Sequence, residues 1–279
     1  MTRWLITGAG GMLGRDLVAT LKGSACEVTA LTRADLDITD PAAVRAAVEG
    51  HDVVVNAAAW ADVDGAEADE ARATLVNGEA VRVLAQACAP GRRKLIHIST
   101  DYVFPGDATE PYRHDSPTSP VNAYGRAKLV GENAVKMSLP DSGYIVRTAW
   151  LYGAHGRNFV STMLKLAESR DTVEVVDDQR GQPTWTVALA RQIAALGESD
   201  APAGVYHGTA SGTATWFDLA RAAYELSGLD PERVRPTTSE KFVRPARRPS
   251  YSVLAHDRWA AAGIAVQPDW RAQLAEYLG

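Results

Sequence analysis

Tyr124 and Lys128 are four residues apart in the run Tyr-Gly-Arg-Ala-Lys, so on a helix their side chains would meet on one face. A neighbouring ammonium favours the phenolate and lowers the pKa of a tyrosine from its usual value of about 10. A tyrosine tuned in this way can donate its proton to a carbonyl oxygen that is being reduced. Because any solvated helix can carry such a pair, the prediction that both residues are catalytic depends on three further features.

The first feature is a glycine-rich turn from Gly8 to Gly14, which follows a predicted strand at 3–7 and opens a helix. Backbone N–H groups at a helix N-terminus bind a pyrophosphate, and glycine lets the pyrophosphate approach them closely. A glycine turn without a ligand is the alternative, and the position directly after a strand disfavours it. The predicted cofactor contacts in this turn are Gly8, Gly11, Met12 and Leu13.

The second feature is Thr32-Arg33, which follows a second predicted strand at 27–31. An arginine at this point accommodates a 2′-phosphate, whereas an acid holds the free 2′-hydroxyl of NAD. Arg33 therefore favours NADPH as the cofactor. Asp35 and Asp37 nearby keep NADH possible.

The third feature is an apolar strand that ends in Ser99-Thr100. Ligands of open parallel sheets bind outside the carboxyl ends of the strands, so Thr100 is placed to hydrogen-bond a substrate carbonyl. A strand-end threonine can also simply satisfy a turn. The presence of Tyr124 and Lys128 further along the chain favours an active site with Thr100 as its third catalytic residue.

The composition excludes several other classes of protein. The 279 residues carry a formal net charge of −5, which disfavours a nucleic-acid partner. Two cysteines are too few for a disulfide framework, and no His or Cys cluster predicts a metal site. No apolar run approaches the ~20 residues of a membrane span and no signal peptide is visible, so we expect a cytoplasmic protein without a membrane partner.

Strand and helix patterns alternate along the first 150 residues. The predicted strands lie at 3–7, 27–31, 53–56, 94–99 and 143–148. The predicted helices lie at 12–22, 41–49, 67–88, 122–137 and 158–169. This alternation predicts an α/β fold with a doubly wound parallel sheet of the Rossmann type over residues 1–150. Residues 151–279 would then form most of a smaller, substrate-binding lobe.

A polar stretch with four prolines, residues 105–120, separates Thr100 from Tyr124. Irregular segments of this length are commonly functional. We predict a mobile flap over the substrate.

Several further residues are candidates from their positions. Small side chains after the third strand would let the backbone lie against a flat cofactor, whereas Tyr102 and Trp150 offer stacking surfaces at strand ends. Asn158 begins a helix that either meets a diphosphate or is merely capped by this side chain. Arg248 belongs to a basic cluster that could bind a diphosphate. The residues with small side chains are Ala57, Ala58 and Ala59.

At this point the chain resembles the extended short-chain dehydrogenase/reductases, and among them the dTDP-4-dehydrorhamnose reductases. The resemblance runs nearly from end to end. It rests on Gly8–Gly14, Asp35–Ile38, Val55–Ala59, Ser99–Phe104, Tyr124 with Lys128, Arg147–Trp150, Asp178–Thr184 and Arg248–Ser252.

The resemblance implies hydride transfer from C4 of a reduced nicotinamide to the C4 keto carbon of a dTDP-linked 4-keto-6-deoxy sugar. Tyr124 would then donate the proton, Lys128 would hold the nicotinamide ribose, and Thr100 would bind the carbonyl oxygen. The resemblance also implies that Asp37 and Ile38 lie at the adenine of the cofactor. It further implies that Val63 and Asp64 lie near the sugar of the substrate. It also implies that segments after residue 150 interleave between the lobes, and it leaves a homodimer possible.

Two alternatives remain open. One is another reductase of nucleotide-linked 4-keto-6-deoxyhexoses, because the residues do not determine the stereochemistry at C4. The other is a non-catalytic NADP-binding protein that resembles the regulatory subunit of methionine adenosyltransferase. Intact Thr100, Tyr124 and Lys128 favour an enzyme.

Overall fold

A six-stranded parallel sheet forms the centre of the computed structural model, which describes all residues from Met1 to Gly279. The strands of the chain are β1 Arg3–Thr7, β2 Glu27–Leu31, β3 Val53–Asn56, β4 Lys94–Thr100, β5 Gly143–Thr148, β6 Leu151–Tyr152, β7 Val173–Val176, β8 Arg180–Gly181, β9 Thr184–Trp185, β10 Gly204–His207, β11 Ala214–Thr215 and β12 Val234–Thr237. The central sheet has the order β10-β5-β4-β3-β1-β2, with all pairs parallel. This is the doubly wound Rossmann arrangement, and the predicted fold class is confirmed.

Helices cover both faces of this sheet. The helices are α1 Met12–Lys22, α2 Pro41–Val48, α3 Val63–Ala68, α4 Glu70–Thr74, α5 Ala80–Cys88, α6 Ala123–Ser138, α7 Phe159–Ala167, α8 Thr186–Glu198, α9 Trp216–Leu226, α10 Asp257–Ala261 and α11 Trp270–Leu278. Buried side chains of α1 and α8 form one apolar layer with the sheet, and those of α2, α5 and α6 form the other. Strands buried on both faces must be apolar throughout, as in the Val-Val-Val run of β3. None of the helices is long and apolar enough to cross a membrane.

The predicted helix at 67–88 is wrong as a single element. Asp62 and Asp69 each cap a new helix start, so α3 and α4 are separate. A π-helical turn, Leu75–Glu79, then leads into α5. Inside it, the buried side chain of Asn77 accepts from the Trp60 N–H at 2.9 Å and donates to the Trp60 carbonyl at 3.0 Å. This tertiary contact explains a turn that helix periodicity does not indicate.

The remaining strands and helices pack as a smaller lobe beside the sheet. Parallel β7 and β12 and antiparallel β8 and β11 support α7, α9 and α11 around two further apolar clusters. The chain returns to the main sheet with α8 and β10. Thr215 is the N-cap of α9, and its hydroxyl and the Asp218 side chain form a reciprocal capping box.

Residues 105–120 are held by contacts with the rest of the protein, which argue against the predicted mobile flap. The buried ring of Tyr112 stacks on Phe104 with ring centres 4.3 Å apart. The Tyr112 N–H donates to the Val253 carbonyl and the Ala255 N–H donates to the Tyr112 carbonyl, both at 2.8 Å. The Tyr112 hydroxyl also accepts N–H groups from Gly106, Asp107 and Ala108 at 3.0–3.1 Å. The proline-rich segment is therefore held in place by stacking and hydrogen bonds.

Candidate active site

Thr100 and Tyr124 meet at the carboxyl edge of the sheet. Thr100 is the last residue of β4, and Tyr124 lies in the first turn of α6, whose start Asn122 caps by accepting the Gly125 N–H at 2.8 Å. A Cβ on Gly125 would lie 2.2 Å from the Tyr102 carbonyl oxygen, so glycine is required for α6 to pack on the turn after β4. This packing brings the Tyr124 phenol close to the Thr100 hydroxyl, which acts to lower the pKa of the phenol.

Lys128 lies one turn further along α6 and is buried. Its ammonium donates to the Ile98 carbonyl of β4 at 2.6 Å, which fixes the side chain beside the sheet edge. Burial lowers the pKa of Lys128 to about 8, against an opposing effect of the Glu132 carboxylate. An ammonium has three donors, so the remaining ones can bind the hydroxyls of a ligand.

The pKa of Tyr124 moves opposite to the sequence-based expectation. Burial raises it, the nearby Asp101 carboxylate raises it further, and the hydrogen bond with Thr100 lowers it only in part. The expected lowering by Lys128 is absent from this structure. The phenol of Tyr124 therefore keeps its proton at neutral pH, which suits a group that donates a proton.

Asp101 is a site residue that the sequence reasoning missed. Its side chain is buried, and one carboxylate oxygen accepts the Thr100 hydroxyl at 2.9 Å. The other oxygen has no hydrogen-bond partner. Burial raises the pKa of Asp101 to about 6, although hydroxyl groups of Ser252 and Thr100 counteract it. The only sequence signal was its place in the Ser99–Phe104 run.

A cleft of about 560 Å³ lies next to the glycine turn, and none of Thr100, Tyr124 and Lys128 lines it. It is lined by most of the predicted cofactor contacts, namely Gly8, Gly11, Thr32, Arg33, Asp37, Ile38, Ala57, Ala58 and Ala59. A Cβ on Gly8, which has φ +71°, would lie 2.5 Å from the Ala58 nitrogen, so only glycine allows this turn. No side chain caps the N-terminus of α1 at Gly11, so its first N–H groups are free for a phosphate.

Two predicted cofactor contacts differ from the rest. The side chains of Met12 and Leu13 do not line the cleft, and Leu13 is buried in the apolar layer beneath it. Their backbone N–H groups in the first turn of α1 are all that they can offer a pyrophosphate. The prediction that Met12 and Leu13 contact the cofactor therefore depends on these backbone N–H groups and stays a prediction.

The loop after β2 favours a phosphate over a hydroxyl near Arg33. The Asp35 carboxylate accepts the Thr32 hydroxyl at 2.6 Å, and the Asp37 carboxylate accepts the Thr39 hydroxyl at 2.7 Å. Asp35 and Asp37, which could have bound the 2′-hydroxyl of NADH, thus accept hydrogen bonds from hydroxyls of their own loop. Arg33 has no ion-pair partner and lines the cleft.

Asp64, Tyr102 and Arg248 form a second wall beside Tyr124. The Arg248 guanidinium pairs with Asp64 at 3.0 Å, and Arg244 pairs with the same carboxylate oxygen at 2.8 Å. The Arg248 guanidinium carbon is 6.0 Å from the Tyr102 ring centre, and the Tyr102 ring centre is 6.1 Å from that of Tyr124. Val63 directly precedes Asp64 at the start of α3.

Trp150 follows β5, whose Thr148 pairs in register with Thr100. Its φ of +48° is unusual for a bulky residue, and its ring stacks on Trp216 with centres 3.6 Å apart. Strained residues of this kind cluster at functional sites. The structure thus keeps Trp150 near the catalytic edge.

Asn158 is a helix cap. Its side-chain oxygen accepts the Ser161 N–H at 3.0 Å, and its amide nitrogen donates to the Gly153 carbonyl at 2.9 Å. The residue is also buried. These contacts favour the capping alternative for Asn158, and its contact with a substrate stays a prediction.

This sheet, with its glycine turn and its Thr, Tyr and Lys at the carboxyl edge, defines an extended short-chain dehydrogenase/reductase. The match to the family described as "RmlD substrate binding domain" covers residues 2–279. The chain belongs to this family of dTDP-4-dehydrorhamnose reductases, as the sequence motifs predicted.

Relatives and solved structures agree with this assignment. The dTDP-4-dehydrorhamnose reductase of Streptomyces griseus is 57% identical over 98% of this chain and 92% of its own length. The enzyme of the same name from Mycobacterium tuberculosis strain H37Rv is 45% identical over 99% of this chain and 92% of its own length. The crystal structure of dTDP-4-dehydrorhamnose reductase from Bacillus anthracis in complex with NADP has a TM-score of 0.95 at 35% identity, and the match covers 99% of each chain. The predicted oxidoreductase class is confirmed.

Proposed function

We propose that this protein reduces the C4 keto group of dTDP-4-dehydrorhamnose to give dTDP-rhamnose, with NADPH as the cofactor. The observation that carries the proposal is the placement of Thr100, Tyr124 and Lys128 at the carboxyl edge of a sheet whose glycine turn borders a cleft fit for a dinucleotide. The names of the relatives and the NADP complex of one structural neighbour support it.

Different residues of the cleft bind different parts of the cofactor. The first N–H groups of α1 after Gly11 bind the pyrophosphate, Arg33 binds the 2′-phosphate, and Asp37 with Ile38 lies at the adenine. Ala57, Ala58 and Ala59 form a flat wall, and Lys128 holds the nicotinamide ribose. A reduced nicotinamide in this place supplies the hydride.

Tyr124 acts as the acid. Its raised pKa keeps the phenol protonated until negative charge develops on the C4 oxygen, and the phenol then donates its proton to that oxygen. The Thr100 hydroxyl, which donates to the Asp101 carboxylate in this structure, donates to the same C4 oxygen when the substrate is bound.

The substrate occupies the space between the Rossmann lobe, mostly residues 1–150, and the smaller lobe. Arg248 binds its diphosphate, Tyr102 and Trp150 flank the sugar, and Val63 with Asp64 borders it. A cytoplasmic location and a homodimer remain predictions from the sequence.

A second candidate substrate is the 4-keto sugar without inversion at C3 and C5. A relative that is 54% identical over 98% of this chain, from Streptomyces niveus, is named dTDP-4-keto-6-deoxy-D-glucose reductase. Both reactions need the same acid and hydride and differ in how the sugar lies against Trp150 and Tyr102.

The test is turnover of NADPH with each sugar nucleotide separately, followed by identification of the reduced sugar by NMR. We expect consumption of NADPH with dTDP-4-dehydrorhamnose and formation of dTDP-rhamnose. Preference for dTDP-4-keto-6-deoxyglucose would establish the second candidate. Binding of NADPH without turnover of either sugar would support a non-catalytic role and contradict the proposal.

A further inference from the structure

We propose that Arg72 and Arg33 form a two-sided clamp on the 2′-phosphate of the cofactor, which makes Arg72 a determinant of NADP specificity. The proposal rests on the NADPH-dependent function proposed above. It assigns a role to a residue that the sequence reasoning did not single out.

The two arginines reach one cleft from different elements. Arg33 follows β2, and Arg72 lies on α4, and both line the cleft beside the glycine turn. Val76, one helical turn after Arg72, also lines this cleft. Residues four apart share a helix face, so the cleft-facing side of this helical run includes Arg72.

Neither guanidinium has a carboxylate partner, although nearby acids are available. Asp69 accepts the backbone N–H of Arg72 at 3.0 Å as the cap of α4, and Glu70 pairs with Arg126 at 2.7 Å. The Asp35 carboxylate is engaged by Thr32. In a chain with a net charge of −5, two unpaired arginines in one cleft indicate an anionic ligand group.

The chemistry of the pair fits a phosphate monoester. Such a group carries about −1.5 to −2 charges at neutral pH, and its oxygens accept the parallel N–H donors of a guanidinium. The Arg72 guanidinium carbon is 5.9 Å from the Trp60 ring centre, and Trp60 also lines the cleft. This cation–π contact holds Arg72 at the cleft before a ligand binds.

The test compares the binding of 2′,5′-ADP and of 5′-AMP by isothermal titration calorimetry, because these probes differ only in the 2′-phosphate. The proteins are wild type, Arg72→Ala, Arg72→Lys, Arg33→Ala and Arg33→Ala with Arg72→Ala. Arg82→Ala is the matched control, because Arg82 is exposed, pairs with Glu79 and does not line this cleft.

We expect Arg72→Ala and Arg33→Ala each to weaken 2′,5′-ADP binding by about tenfold or more, while 5′-AMP binding changes by less than about twofold. Arg72→Lys should retain part of the affinity, because it keeps the charge without the planar fork. Arg82→Ala should bind both probes as wild type does.

An equal loss of both probes in Arg72→Ala would mean that Arg72 contacts the adenine or shapes the cleft, and it would overturn the clamp. Unchanged binding of 2′,5′-ADP would overturn it as well. Equal binding of both probes by the wild-type protein would contradict the clamp but would leave the proposed dinucleotide site unaffected. A wild-type protein that binds neither would overturn the proposed cofactor site together with the clamp.

Discussion

At the scale of single residues, the site is arranged for proton donation in the direction of reduction. A buried Tyr124 beside the Asp101 carboxylate has a raised pKa and is fully protonated at neutral pH. The oxygen formed by hydride addition is an alkoxide, which is more basic than a phenolate, so transfer of the proton from Tyr124 is downhill. The Ile98 carbonyl fixes the Lys128 ammonium at the same edge of the sheet.

Replacement of Tyr124 by Phe removes the proposed acid and keeps the ring. Turnover should fall by about 10² to 10⁴-fold, the usual contribution of a positioned acid, with little change in the Kd for NADPH. Steady-state kinetics and a fluorescence titration measure the two quantities. Tyr144→Phe is the control, because its hydroxyl donates to the Ala201 carbonyl away from the site. Wild-type turnover in Tyr124→Phe would remove Tyr124 from the mechanism.

At the scale of elements, a buried ion pair holds together the strands and the helix that carry the catalytic residues. Arg147 of β5 donates to both carboxylate oxygens of Glu132 of α6 at 2.8 and 2.7 Å, and both side chains are buried. The hydroxyl of Ser99, which precedes Thr100 in β4, donates to the same carboxylate at 2.7 Å. The register of Thr100 against Tyr124 therefore depends on this pair.

Glu132→Gln should lower the free energy of unfolding by about 3–5 kcal/mol, because it leaves the Arg147 charge buried without its partner. Urea unfolding measures the loss.

Burial alone would raise the pKa of Glu132, but the Arg147 guanidinium outweighs burial and holds the pKa below its usual 4.5. A carboxylate with a lowered pKa stabilises the fold above its unfolded value and loses this contribution as pH falls through the folded value. The difference between wild type and Glu132→Gln should therefore shrink in acid below about pH 4.5. A difference that stays constant down to pH 3 would contradict the ion-pair account.

The anchored segment at 105–120 gives a second prediction for elements. Amides of Gly106, Asp107 and Ala108 should exchange slowly with deuterium in the ligand-free protein, because each donates to the Tyr112 hydroxyl. Tyr112→Phe removes that acceptor and should speed their exchange, while Tyr112 N–H itself stays protected by Val253. If these amides exchange fast in the wild type and are slowed only by NADP⁺ and a dTDP-sugar, the result would support a mobile flap and contradict the anchored segment.

Elements and the catalytic residues could be predicted from sequence because their signals are local. Periodicity and glycine placement indicate β1, α1 and the spacing of Tyr124 and Lys128. The errors concern contacts between distant residues. The π-helical turn depends on Asn77 meeting Trp60, and the pKa of Tyr124 depends on a buried Asp101. No periodic pattern indicates that two residues seventeen positions apart, Trp60 and Asn77, come together.

At the scale of the whole molecule, Asp64 connects the two parts of the chain across the substrate space. Its carboxylate on α3 binds Arg244 and Arg248 and also accepts the Ala246 N–H at 3.2 Å. The segment that carries the proposed diphosphate ligand is thus tied to the Rossmann lobe next to Tyr102. Cofactor and substrate sites are thereby held at a defined separation.

Arg248→Ala should raise the KM for the dTDP-sugar by about ten- to a hundredfold with little change in kcat, because a charged hydrogen bond to the diphosphate is lost far from the reacting carbon. The Kd for NADPH should stay the same. Arg247→Ala is the neighbouring control, since Arg247 has no ion-pair partner at Asp64. A fall in kcat with an unchanged KM would place Arg248 outside the diphosphate site.

The central claim is that this site transfers a hydride to C4 of a dTDP-linked keto sugar, and deuterium labelling tests it most directly. The purified protein is incubated with dTDP-4-dehydrorhamnose and NADPH deuterated at the transferred position of nicotinamide C4, and the product is examined by NMR. The account predicts dTDP-rhamnose with one deuterium at C4 of the sugar and none at other carbons. Oxidation of the cofactor without deuterium at C4, or label at another carbon, would contradict it.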